Sequence, residues 1–176
     1  MKTPTRPRVH VYMGTGQGKT MAAFGLALRS IGHGKKVVVV QFMKGRQDIG
    51  EYRAARRLSP GLEIRQFGRR ELMDLAHPTP EDYRLAREGL EFARGALLGK
   101  PDLLILDELG LAASIGLVGV GDVLDLIARA DPATVLVITG RKVPAEVAAI
   151  ADLVTEMHEI RHPMRAGVGP REGLEY

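Results

Sequence analysis

Five short apolar runs, VHVYM (9–13), KVVVVQF (36–42), LEIRQF (62–67), DLLILD (102–107) and TVLVITG (134–140), alternate with longer amphipathic stretches. Strands this rich in Val, Ile and Leu offer no polar face to water, so both faces of their sheet must be covered. The cover lies between them: 19–31, 80–98, roughly 117–129 and 144–150 read as helices. Strand–helix alternation of this kind predicts an α/β domain with a mostly parallel sheet and helices on both faces. HPTPEDY (77–83) marks one helix start, with Thr79 as N-cap, Pro80 at the first helical position and Glu81-Asp82 in the first turn. Asp131-Pro132 ends another helix before the next strand.

The chain of 176 residues suits one domain, expected over 9–176 behind a basic N-terminal tail, 1–8. The brevity of that tail predicts no long N-terminal arm. No run approaches ~18 consecutive apolar residues, so no membrane span is expected. MKTPTRPRV is basic but lacks the apolar core of a secretory signal. The absence of cysteine excludes disulfides, thiolate metal sites and a cysteine nucleophile, and a cytoplasmic protein is the expectation. The net charge is +4, with Arg clustered at 53–57 and 69–70. Single-strand nucleic-acid binding calls for aromatic side chains among such clusters. With aromatics at 5% of the chain and almost none nearby, nucleic acid is not the expected partner.

GTGQGKTM (14–21) follows the first strand and precedes the first helix. Glycines let backbone N–H groups converge on phosphate oxygens, and the helix N-terminus favours an anion. Lys19 supplies a point charge and the Thr20 hydroxyl a ligand for Mg²⁺. The usual G-x-x-x-x-G-K-[ST] spacing is shortened, with three residues between Gly14 and Gly18 and Met13 in the missing glycine's place. LLILDE (103–108) ends a strand in two carboxylates, Asp107 and Glu108, which point to opposite sides, so one of them meets the metal directly. Mg²⁺ takes oxygen ligands and keeps several waters. Together the two motifs predict a P-loop NTPase-like (RecA-like) Mg-nucleotide site at the carboxyl ends of the strands. GALLGKP (95–101) and GLVGVG (116–121) lack the strand-then-helix context of a phosphate loop. His158 and His162 lie on a segment, LVTEMHEIRH, that reads as extended, which would set them ~13 Å apart and exclude a shared ion.

GTGQGKTMAAFGLALRSIGHG (14–34), VVVVQFMKG (37–45), LLILDELGLA (103–112), VITGRKVP (137–144) and ADLVTEMHEIRHPMRAGVGPREGLEY (151–176) stand in the order found in the ATP:corrinoid adenosyltransferases. The sequence resembles that family from Val9 to Tyr176, and its C-terminal block is the most specific part. The resemblance implies that the shortened loop is a family feature. It implies that ATP lies reversed, with the loop on the far end of the triphosphate and the ribose 5′-carbon at the reacting centre. By the same resemblance Gly14, Thr15, Gly16, Gln17, Gly18, Lys19 and Thr20 bind the triphosphate, and Thr20 with Glu108 holds Mg²⁺. Arg29 reaches a phosphate, Gln41, Lys44 and Glu51 line the active site, and Arg141 falls on a family motif. The partners implied are ATP, a corrinoid (cobalamin, cobinamide or cobyrinic acid a,c-diamide), an external electron donor such as a flavoprotein, and a second subunit in a homodimer. Some members carry a Phe and a Trp after the third strand that displace the corrinoid's lower ligand; here the stretch is FGRRELMDL (67–75) and the chain has no Trp. The alternative function is that of a RecA-like ATPase or kinase acting at the γ-phosphate.

Overall fold

The computed structural model describes residues 5–174. Residues 175–176 of the C-terminal block and residues 1–4 of the expected tail lie outside the described residues. Six strands, β1 (Arg8–Met13), β2 (Val37–Phe42), β3 (Leu62–Phe67), β4 (Leu103–Asp107), β5 (Val135–Gly140) and β6 (Leu153–Glu156), form one sheet in the order β3-β2-β4-β5-β1-β6. Every neighbouring pair is parallel. The helices are α1 (Lys19–Gly32), α2 (Gly50–Leu58), α3 (Pro80–Leu98), α4 (Leu109–Ser114), α5 (Val120–Arg129) and α6 (Ala145–Ala149), followed by a 3₁₀ turn, Pro163–Ala166. This is the α/β, P-loop NTPase-like class expected, with the sheet covered on both sides.

Alternation along each strand builds two cores. Val38, Val40, Phe42, Leu104, Leu106, Leu136 and Ile138 face α3, α4 and α5, whereas Val37, Val39, Leu103, Ile105 and Val137 face α1 and α2. The five expected strands are present to within a residue at each end. The N-cap of α3 is also as expected: Thr79 accepts from the Asp82 N–H at 3.4 Å and Asp82 accepts from the Thr79 N–H at 2.8 Å.

Two helices were not foreseen, for opposite reasons. GEYRAARRL in α2 buries only Ala55, so its pattern is that of a solvated segment. LGLAAS in α4 is almost wholly buried and continues the apolar run of β4, where periodicity has nothing to report. β6 occupies only the first four residues of the expected extended segment, pairs with β1 on one edge and is exposed throughout. Among the described residues no helix is long and apolar enough to cross a membrane.

Helix α3 lies unusually close to the sheet at Gly89, where an added Cβ would stand 2.9 Å from the ring of the fully buried Phe42 and 3.1 Å from Phe67 Cβ. At Gly95, on the exposed side of the same helix, a Cβ would meet nothing within 4 Å. Gly89→Ala is therefore expected to destabilise by about 1–3 kcal/mol through overpacking. Gly95→Ala is expected to stabilise by about 0.5–1 kcal/mol through helix propensity. Urea unfolding of the two variants measures both, and equal signs would contradict the close approach.

Candidate active site

The loop between β1 and α1 is shaped by contact with the chain's far end. Met157, just beyond β6, donates its N–H to Met13 O at 2.8 Å and accepts from the Gly16 N–H at 2.8 Å. A Cβ on Gly14 would stand 2.4 Å from Met157 O, and one on Gly16 would stand 2.8 Å from the 157–158 backbone. Gly14 and Gly18 also have φ of 102° and 117°, which disfavour any side chain. These glycines thus serve the loop's shape before any ligand is considered. Lys19, the first residue of α1, is 7% exposed and donates from Nζ to Gly16 O at 2.6 Å. Burial pushes its pKa down, and the Glu108 charge partly opposes that shift.

On the other side of β5, β4 ends in the acid pair. Asp107 is fully buried, and four donors converge on it. Oδ1 accepts from Thr139 Oγ1 at 2.7 Å and from Thr20 Oγ1 at 3.0 Å. Oδ2 accepts from Lys44 Nζ at 2.6 Å and from Gln41 Nε2 at 3.1 Å. Burial alone would raise the Asp107 carboxyl, but the Lys44 charge and these hydrogen bonds hold it below its ordinary value. Burial alone would lower Lys44, and Asp107 outweighs it and holds the amine up. Both members of the pair are therefore charged.

Glu108 takes the opposite course. It adopts a left-handed conformation (φ 62°, ψ 11°) that turns it out of the strand line, and its buried Oε2 has no hydrogen-bond partner. Burial first, and the neighbouring Asp107 charge second, push its pKa up.

A cleft of about 880 Å³ opens at this edge of the sheet. Of the expected site residues, Thr15, Gly16, Gln17, Gly18, Lys19 and Thr20 line it, together with Lys44, Glu51, Glu108 and Arg141. Gln41 does not: it is fully buried beneath the cleft, bonded to Asp107 and, through Oε1, to Gln66 Nε2 at 3.0 Å. Asp107 likewise acts from below, which leaves Glu108 as the acid of the pair that faces the cleft. Gly14 shapes the loop from behind. Arg29 sits exposed in the last turn of α1, ten residues from Lys19 and so ~15 Å along the helix axis. It does not line the cleft, so its expected reach to a phosphate there is not supported.

Two contributions were missed. Thr139, in the TGR segment, bridges the acid pair: besides its bond to Asp107, it accepts from the Glu108 N–H at 2.9 Å. A hydroxyl at the end of a strand beside an acidic strand was the available signal. The second is the C-terminal wall, where Pro163, Met164, Val168, Pro170 and Leu174 face the cleft, with Glu159 and Arg165 paired at 2.7 Å. These residues fall within a block noted only for its family pattern. His162 accepts from the Met164 N–H at 3.2 Å, and His158 Nε2 lies 3.5 Å from Glu156 Oε2.

A parallel α/β sheet carrying a glycine loop, Lys19 and Thr20 at one strand end and an acid pair two strands away defines a P-loop nucleotide-binding enzyme. The profile of the ATP:corrinoid adenosyltransferase BtuR/CobO/CobP family matches residues 5–176. A corrinoid adenosyltransferase of Pseudomonas aeruginosa is 34% identical over 94% of this chain and 82% of its own length. One from Escherichia coli K12 is 33% identical over 94% and 84%, and one from a Sinorhizobium species 31% over 99% and 83%. The chain belongs to this family of transferases, and the expectation drawn from its motifs is met.

The raised Glu108 pKa has a consequence for stability. Because the folded value lies above the ordinary 4.5, ionising Glu108 costs the fold. That cost is absent below about pH 4, where the carboxyl is protonated folded and unfolded alike, and it accumulates as pH rises through the folded value. Glu108→Gln is expected to melt a few degrees higher than the parent at pH 7.5 without ligand, with the gap closing towards pH 4. A gap that stays constant with pH would show that Glu108 is not held against its charge.

Proposed function

We propose that this cleft transfers the 5′-deoxyadenosyl group of MgATP to the Co(I) centre of a reduced corrinoid and releases triphosphate. The observation that carries the reading is the joining of two unlike walls in one cleft. One wall presents Gly16–Thr20, Lys44 and Glu108 for phosphates; the other presents Pro163, Met164, Val168, Pro170 and Leu174 for an apolar face.

The chemistry fits the inventory. Co(I) is itself a strong nucleophile, so the protein need supply none. A Co–C bond forms at the ribose 5′-carbon as the C5′–O bond breaks, and the electron pair leaves on the triphosphate oxygen. Holding the two substrates in line is worth up to ~7–11 kcal/mol. Lys19, freed from the Gly16 carbonyl, stabilises the charge that develops on the leaving oxygens. Lys44 and Arg141 add positive charge on either side.

Mg²⁺ fits the residues present. The Glu108 Oε2 is buried and unpartnered, and the Thr20 hydroxyl gives its proton to Asp107 at 3.0 Å and accepts a long bond from Lys44 Nζ at 3.4 Å, which leaves one lone pair for a cation. Both are hard oxygen donors, and so small a protein set suits an ion that draws its other ligands from water and phosphate. When bound, the ion would neutralise phosphate charge; Asp107 would orient Thr20 from below. We further assign the protein to the cytoplasm, as a homodimer supplied by an external electron donor, since a chain without cysteine carries no thiol couple of its own.

A second reading has one observation in its favour. The unpartnered Glu108 could polarise a water at a γ-phosphate, which is the task of a RecA-like ATPase. The products separate the two. An anaerobic reaction of MgATP with a chemically reduced corrinoid is expected to give a light-sensitive alkylcobalt spectrum and intact triphosphate. ADP and phosphate with an unchanged cobalt spectrum would favour hydrolysis. Lys19→Ala is expected to lose at least about 10²-fold in turnover, as removal of a donor to developing charge does elsewhere; near-normal turnover would remove Lys19 from the reaction. Glu108→Ala is expected to raise the Mg²⁺ requirement more than the corrinoid KM, and an unmoved magnesium titration would displace it from the metal site.

A further inference from the structure

We propose that Thr139 is a positioning residue that ties Glu108 to Asp107, the carboxylate that also holds Thr20, so that both metal-binding groups are referred to one oxygen; the proposal rests on the Mg-nucleotide reading of the cleft. Glu108 is held at two costs. Its left-handed backbone is disfavoured for a residue with a side chain, and its buried Oε2 is unpartnered. Such a conformation persists only where its surroundings over-determine it.

Thr139 supplies that determination. Its side chain is fully buried, and its hydroxyl donates one bond and accepts another, with fixed polarity. The single proton goes to Asp107 Oδ1 at 2.7 Å, because an aspartate salt-bridged to Lys44 at 2.6 Å can only accept. The hydroxyl oxygen is then free to accept the Glu108 N–H at 2.9 Å, which fixes the peptide that sets the Glu108 φ. The same Oδ1 accepts the Thr20 proton at 3.0 Å. One carboxylate oxygen therefore aims two residues: Thr20 directly, and Glu108 through Thr139.

The backbone around Thr139 is built to permit this reach. Its neighbour Gly140 lies so close to the start of α4 that a Cβ there would stand 2.5 Å from the Leu111 N. The first turn of α4, which Glu108 precedes, thus docks directly on the end of β5. Thr139 touches neither the cleft nor any candidate substrate position, since it is not among the residues lining the cleft. Its role is orientation of other groups.

The discriminating substitutions are Thr139→Val, which keeps the shape and removes both bonds, and Thr139→Ser, which keeps the hydroxyl. The probe is Mn²⁺ with ATP, read by electron paramagnetic resonance in the absence of any corrinoid. Adenosyl transfer plays no part in that reading, so its failure and the failure of the proposed reaction are separable. Loss of an outer-shell partner elsewhere weakens metal binding by about 10–100-fold, and Thr139→Val is expected to fall in that range. Thr139→Ser is expected to stay within about twofold of the parent, since the bonding group is retained. Thr139→Cys, similar in volume but a weak hydrogen-bonding partner, is expected to lie between, and it carries the test if the valine variant fails to fold. ATP affinity without metal is expected to move little in all three, which a purely structural collapse would not spare. Parent-like Mn²⁺ binding by Thr139→Val, or an equal loss in Thr139→Ser, would overturn the proposal.

Discussion

Burying the Asp107 carboxylate at the end of a sheet that is otherwise aliphatic carries a desolvation penalty of several kcal/mol, and much of the site is arranged around offsetting it. Its four donors come from four places: Thr20 in α1, Gln41 in β2, Lys44 in the loop after β2 and Thr139 in β5. Register makes this possible, because β2 pairs with β4 so that Gln41 lies opposite Asp107. Since Lys44 and Asp107 each hold the other in its charged form, removing either strands a charge in the interior. The pair is thus less a source of stability than a fixed point. From it the hydroxyls of Thr20 and Thr139, the amide of Gln41 and, one step further, the backbone of Glu108 take their orientations.

A second constraint ties the two ends of the chain together. Pairing of β6 with β1 does not stop at the strand ends: it continues through Met157 to Met13 O and the Gly16 N–H, inside the phosphate loop itself. A loop so closely backed by another segment has no room for side chains at 14 and 16. The same pairing starts the C-terminal segment at the loop, from where it runs on to form the far wall of the cleft. One strand edge therefore accounts for two features that look unrelated in sequence, the glycine spacing near the start and the proline- and glycine-rich stretch near the end.

That distinction also explains what could be read from the sequence. The strands were legible because β-branched runs flanked by turn residues have few alternatives, and α3 because Thr79, Pro80 and Asp82 spell out its start. That the loop, Lys19, Thr20 and Glu108 would meet in one cleft could be anticipated, because phosphate and cation chemistry restrict residue type and spacing locally. Gln41 and Arg29 were misplaced for want of depth information. A polar residue in an apolar strand can end up beneath a site as readily as within it, and a helix carries an arginine ~15 Å away in ten residues. Thr139 escaped notice because its importance comes from a neighbour 32 positions away in sequence, Asp107, which only the β4–β5 adjacency brings into reach. The C-terminal wall has no periodic pattern, and its place depends on the β1–β6 edge.

Two charged groups that line the cleft, Lys19 and Glu108, are both shifted towards neutrality. Lys19 leans on a backbone carbonyl and burial lowers its pKa; Glu108 has an unpartnered oxygen, and burial raises its pKa. Neither arrangement favours the empty protein, and each shift is in the direction that a bound polyanion with its cation would reverse. Phosphate oxygens would push the Lys19 pKa back up, and a divalent ion would pull that of Glu108 back down. Beneath them Asp107 is fully buried and holds its charge, and it keeps Lys44, which reaches up to the cleft, charged as well. The site is therefore layered, with a charge-paired lower tier centred on Asp107 and an upper tier, Lys19 and Glu108, whose polar atoms are less fully paired.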